Sequence, residues 1–241
     1  REAILGHFAQ FLKGEGNGNP LPLPECEVIP EEELRLFNPP QSRPAKVADL
    51  PGICRREGER LRGELLARTD FIGSKERREL AKLLRLQKQA SRTKLFRYQA
   101  VNGVGRFALD TGEHLIPFLV KEGTVPGKYC LVLHPEGKAE LDEKTLEKAG
   151  ADGATLVMPD LFGTGETAQP NHCIGLHHQF FRQLLWIGRS LIGEWVYDVI
   201  ALEKMLKRGF KARQVTVYGV KECGACAVFA ATQDSEIDAV R

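Results

Sequence analysis

The residues whose types and spacing could best do chemistry lie between Val215 and Ala231, VTVYGVKECGACAVFAA. An apolar strand runs without a linker into Gly219, a short polar corner and an apolar helix. A helix start offers unpaired N–H groups and a partial positive charge, so reactive groups collect there. Two chemistries could use this corner. Read as Gly219-Val220-Lys221-Glu222-Cys223-Gly224, it has the form of a tight strand-to-helix turn that presents a nucleophile to solvent. The serine such a turn usually presents is missing. Read as Cys223-Gly224-Ala225-Cys226, it is a C-x-x-C at a helix start, where the helix dipole lowers a thiol pKa.

Other constellations are weaker. His172, Cys173, His177 and His178 cluster in one loop, but adjacent H-C and H-H pairs lack a spacing that converges on one ion, so no metal is expected. Gly163-x-Gly165 resembles part of a dinucleotide fingerprint without its third glycine, and no cofactor is expected. Asp160 and Arg189 read as a structural ion pair or turn cap. Ser190, the available hydroxyl, sits inside an expected helix.

The elements that must position these residues follow one order. Phe96 to Val101 and Arg106 to Glu122 alternate around Asn102-Gly103 and Asp110-Thr111-Gly112, the pattern of an antiparallel hairpin or meander. Tyr129–Leu133, Ala154–Met158 and Val215–Tyr218 are short apolar runs of the kind buried on both faces of a parallel sheet. Leu141 to Ala149 and the long stretch Phe180 to Leu206 are expected helices between them. The three strands should therefore be parallel neighbours with their carboxyl ends on one edge.

Upstream, Ile4, Leu5, Phe8, Phe11 and Leu12 share one helical face that Gly14 ends, and this amphipathic helix should bury its stripe against a host. Prolines through residues 25 to 52 mark an irregular tract. Residues 53 to 94 change to helix formers; 13 Lys/Arg against 6 Asp/Glu between 54 and 94 reads as solvated charge beside a leucine stripe. The net charge of +2 over 241 residues gives no reason to expect nucleic acid. No apolar run approaches the roughly 18 residues a membrane span needs. Six scattered cysteines make a poor disulfide scaffold, and most should be free thiols.

Taken together, YCLVLHPEGK, ATLVMPDLFGTGET, IGRSLIGEWVYDVIALEKML and VTVYGVKECGACAVFAA resemble the first half of α/β-hydrolases of the acetyl-xylan-esterase type and related bacterial carbohydrate esterases. The resemblance covers roughly residues 94 to 241. Its most specific parts are the D-x-x-G-x-G-x-T corner at Asp160 to Thr167, the GRS-x-x-G pattern with Asp198, and the elbow with its Ala-rich helix. It implies an α/β fold, an α/β-hydrolase-like mostly parallel sheet, with a helical and Pro-rich extension before it. In register, His134, Pro135, Glu136 and Gly137 fall at the first oxyanion-hole loop. Gly219 and Gly224 occupy the tight corner, Lys221 stands at the nucleophile, Glu222 at the residue whose N–H completes the oxyanion hole, and Cys223 where a glycine is usual.

The implied function is that of a carboxylic ester hydrolase family with its nucleophile serine absent: a degenerate elbow with a structural or carbohydrate-ester-binding role. An active serine-type hydrolase completed outside this chain is the alternative. A glutaredoxin-like thiol-disulfide module at Cys223 and Cys226 is the second, since VTVYGVKECGAC is similar to the strand and corner of that family. Residues 1–24 are similar to the end of a preceding hydrolase domain, 25–93 would be a linker with basic helices, and 94–241 the first half of a second domain. The implied partners are a hydrolase domain of the same chain and a carbohydrate ester, and the resemblance implies an exported bacterial protein.

Overall fold

A computed structural model of the chain describes residues 1–25, 27–37, 44, 49–68, 73–168 and 176–241, with backbone alone for 176–179. It forms two compact units, Arg1–Asp70 and Phe71–Arg241.

The first unit is helical. Helix α1 (Glu2–Phe8) runs into a wider turn over Ala9–Lys13, and Gly14 closes it in the left-handed conformation with φ 71°, as its lack of a Cβ permits. The expected burial of its apolar stripe is not found: Ile4, Phe8, Phe11 and Leu12 are all exposed. A periodic stripe states what a helix could bury and does not supply the surface that would cover it. After the short α2 (Glu31–Leu34), α3 (Leu50–Leu66) starts at Asp49, whose side chain accepts the Gly52 N–H. Arg60 pairs with Glu57 and Glu64 on its surface, the solvated charge expected there.

The second unit begins with α4 (Ser74–Leu83) and builds a seven-stranded sheet. Strands β1 (Lys94–Val101), β2 (Val104–Asp110) and β3 (Leu115–Lys121) form the antiparallel meander. β4 (Lys128–Leu133), β5 (Thr155–Pro159), β6 (Gln214–Gly219) and the short β7 (Ala239–Val240) are mutually parallel, and the spatial order is β1-β2-β3-β5-β4-β6-β7. β4 pairs in parallel with both β5 and β6, so the three apolar runs are indeed parallel neighbours.

Both faces of the sheet are covered, which is why these strands read as unbroken apolar runs. Along β4, Leu131 and Leu133 join the larger core with α7 (Leu191–Gly209) and α8 (Cys223–Gln233). Cys130 and Val132 point the other way, to a smaller core with residues of α5 (Glu143–Ala149), following the two-residue period of a strand. The long helical stretch is two helices and not one. α6 (Leu176–Trp186) ends before Gly188, which has φ 75°, and Ser190 then caps α7 by accepting the Gly193 N–H at 3.1 Å. Ser190 thus lies at a helix start, with its hydroxyl donated to the Leu84 carbonyl.

Candidate functional site

The parallel strands bring three corners to one edge: His134–Gly137 after β4, Asp160–Thr167 after β5, and Val220–Glu222 after β6. The last is the elbow. Lys221 has φ 50°, a left-handed conformation uncommon for a residue with a Cβ, and its side chain is exposed. Main-chain bonds hold the turn: Val220 N–H donates to Leu133 at 3.0 Å, Cys223 N–H to Val220 at 3.0 Å and Gly224 N–H to Lys221 at 3.0 Å. A Cβ on Gly219 would lie 2.4 Å from the Cys223 carbonyl oxygen, so only glycine fits there. At Gly224 the nearest atom would be at 3.6 Å, an ordinary contact. The close approach expected of both glycines is therefore carried by Gly219.

Cys223 resolves its own excess bulk by turning inward. Its side chain is fully buried in the core beside Cys226, and both thiols are free. Burial pushes the Cys223 thiol up to about 12 and Cys226 well above the ordinary thiol value. An attacking cysteine needs the opposite shift and solvent access, so the glutaredoxin-like reading does not hold. Of the other cysteines, Cys54 and Cys130 are free; Cys26 and Cys173 lie outside the described residues.

Opposite the elbow, Pro135 and Glu136 face Lys221 and Glu222 across a cleft of about 420 Å³ whose remaining walls are Phe181, Leu191, Ile192 and Trp195. His134 and Gly137 are not among its walls. His134 is buried and its Nδ1 accepts the Glu136 N–H at 3.3 Å, while Gly137 N–H donates to the His134 carbonyl at 3.1 Å. Pro135 has no N–H to offer. The His134–Gly137 loop thus spends its central donors internally, whereas the Glu222 N–H has no acceptor among the described residues. An oxyanion hole needs donors converging on one point; here one is free.

The corner after β5 is filled by internal bonds. Buried Asp160 accepts the Lys138 N–H at 2.7 Å and the Glu166 N–H at 2.9 Å, and it pairs with the Lys138 ammonium. That ammonium also meets Glu166 at 2.5 Å. Gly165 has φ 48°, and a Cβ there would lie 2.2 Å from Asp160 Oδ1. At Gly163, with φ 72°, a Cβ would meet the Phe180 ring at 2.5 Å. Asp160 and Arg189 do not pair with each other: Arg189 grips Glu194 through two bonds of 2.7 and 2.6 Å and reaches Glu113 at 3.3 Å.

Sequence reasoning missed what lies beneath the cleft. His114, buried at the end of the meander, sets Nδ1 2.6 Å from Asp198 and Nε2 3.0 Å from Glu194, the second approach being an ionic contact without hydrogen-bond alignment. Burial opposes a charge on His114, but the Asp198 hydrogen bond and the close charges of Asp198 and Glu194 outweigh it and push the ring up to about 9. Burial raises Asp198, against the lowering contacts of the His114 ring at 2.6 Å and the Phe162 N–H. Glu194 is held low despite its own burial, by His114 and Arg189. Two carboxylates thus meet the His114 ring and the Arg189 guanidinium in one cluster. Asp198 also accepts the Phe162 N–H at 2.7 Å, and Trp195 donates to the Phe162 carbonyl at 2.9 Å, tying the cleft wall to this network. The available signal was Glu194 and Asp198 four residues apart on one helix face, with no cation nearby in sequence except Arg189.

His172 lies outside the described residues, as do the side chains of His177 and His178; among the described residues no cluster suits a metal ion. No described helix is long and apolar enough to cross a membrane.

No family model matches the sequence, and no curated protein does. Among solved structures, a candidate acetyl xylan esterase from Bacteroides fragilis is similar at 17% identity and a TM-score of 0.57, over 68% of this chain and 50% of that one. Acetyl xylan esterase 1 from Thermoanaerobacterium sp. aligns at 16% identity and a TM-score of 0.45, over 68% and 55%. Dienelactone hydrolase from Anabaena variabilis aligns at 14% and 0.42, over 61% and 62%. The chain thus spans 50% to 62% of the length of these structures. At 17% identity the likeness to the first of these is one of backbone, and with the sheet order and the strand-to-helix elbow it gives this chain an α/β-hydrolase-like fold.

Proposed function

We propose that this chain is an esterase-related domain whose elbow has lost ester hydrolysis and serves as a ligand-binding or structural corner, with carbohydrate esters or their acyl products as its ligand class. The observation that carries this reading is Lys221, which holds the exposed positive-φ position of the turn. A serine hydrolase needs a hydroxyl whose proton a histidine removes. Among the described residues no serine, threonine or cysteine lines the cleft, and Cys223 beside it is buried. A protonated alkylammonium has no lone pair with which to attack. The internal use of the Glu136 N–H further supports a weakened oxyanion hole.

The test is turnover of a chromogenic acetate ester by the wild-type chain, Lys221→Ala and the Lys221→Ser/Cys223→Gly double variant. All three should match buffer, because a restored hydroxyl without a histidine partner stays a weak nucleophile. Wild-type turnover that vanishes in Lys221→Ala would overturn the reading.

A further inference from the structure

We infer that the cleft between the elbow and Pro135 is a binding site for monocarboxylates with an apolar body, anchored by the Lys221 ammonium. It rests on the reading of the elbow as a binding corner. Four observations support it. The cleft, at about 420 Å³, falls within the size range of small-molecule sites. Its walls are chiefly Trp195, Leu191, Ile192 and Phe181, surfaces suited to an aryl or branched alkyl group. Lys221 has no ion-pair partner among the described residues, a state it shares with others such as Lys121 and Lys211, and it is the lysine that lines this cleft. The neighbouring Glu222 N–H also lacks a protein acceptor among those residues.

A carboxylate suits that pair of donors better than a neutral ester or amide. One oxygen meets the ammonium in a charge-assisted contact and the second has an N–H to accept, while an amide loses the charge term. The turn presents Lys221 at φ 50°, the position from which an esterase aims its nucleophile, so the cation stands where the acyl group would lie. Glu136 and Glu222 also line the cleft and oppose an anion. Both are exposed, where water and salt weaken the repulsion. The net preference is therefore modest, and removing one of these carboxylates should enlarge it.

The experiment titrates 4-fluorophenylacetate and 4-fluorophenylacetamide with the whole chain and reads fluorine NMR shifts. At low ionic strength the carboxylate should bind about fivefold more tightly than the amide, the upper range for an exposed ion pair. The ratio should fall to about one in Lys221→Gln and shrink in high salt, as an exposed charge contact does. In Glu136→Gln it should grow. Equal affinities in the wild type, binding of neither probe, or a preference that survives Lys221→Gln would each overturn the site. Circular dichroism of each variant checks its fold, and Lys221→Arg, which keeps the charge, should keep the preference. Hydrolysis of 4-fluorophenyl acetate by the same sample would sink the silent-elbow reading alone, and the affinity ratio decides the carboxylate site in either case.

Discussion

The corner after β5 and the corner after β6 leave the same edge of one sheet, yet they are built in opposite ways. At the first, a buried carboxylate takes two main-chain N–H groups and an ammonium, and Gly137 and Gly165, both at positive φ, give it room. At the second, the side chain at the apex takes part in none of the main-chain bonds that shape the turn, and the N–H beside it has no acceptor among the described residues. Saturation marks a corner that holds the fold, and spare donors facing an apolar cleft mark one that can meet a ligand.

The sharpest way to break this contrast is at Asp160. Asp160→Ala orphans two part-buried N–H groups and leaves Lys138 with Glu166 alone, so the urea midpoint should drop by the equivalent of about 3 kcal/mol with an unchanged slope. A loss no larger than that of Lys221→Ala would erase the distinction between the corners.

A smaller effect comes from the network under the cleft. His114 is raised from 6.5 to about 9, so folding takes up a proton; the stability this gives is complete below 6.5 and is lost as pH rises through about 9. The melting temperature should decline over that interval, and His114→Gln should flatten the decline. Buried Glu203, raised by burial from 4.5 to about 7, also removes stability as pH rises, but in its own lower window. A profile with no loss between 6.5 and about 9 would remove the charged ring from the account.

The smallest expected effect is at the elbow itself. Lys221→Gly relieves a left-handed φ that costs a side-chain-bearing residue roughly 1 kcal/mol, against glycine's greater freedom when unfolded. Thermal unfolding should therefore shift upward by the equivalent of about 0.5 kcal/mol or less. A marked loss would mean that the lysine side chain holds the corner.

Much of this scaffold was legible because the residues that make it act locally. The runs at 129–133, 154–158 and 215–218 are apolar on both faces, and the observed strands differ from them by a residue or so at each end. Gly219 and the positive-φ apex were readable from the turn's spacing. The burial of Cys223 was not, because a thiol can point outward to react or inward to pack, and only the packing of α8 on the sheet decides. His114 was invisible for a related reason. Its partners lie 80 and 84 residues away, a separation that no periodicity spans. The break at Gly188 was obscured by apolar residues on both sides that continue a helical pattern across it. On α1, the pattern named a buried face where the described structure leaves it in water.

The bonds that hold the elbow are all main chain to main chain, running from Val220 to β4 and from α8 back into the turn. The apex position is thus a mount whose fitting can be exchanged. Serine, lysine, cysteine or a residue carrying a synthetic group can be placed at 221 while the mount keeps its aim, since none is asked to hold it in place. Substitution there changes what the edge of the sheet presents without changing where it is presented, while a new chemistry still needs the partner groups that activate the residue at the apex.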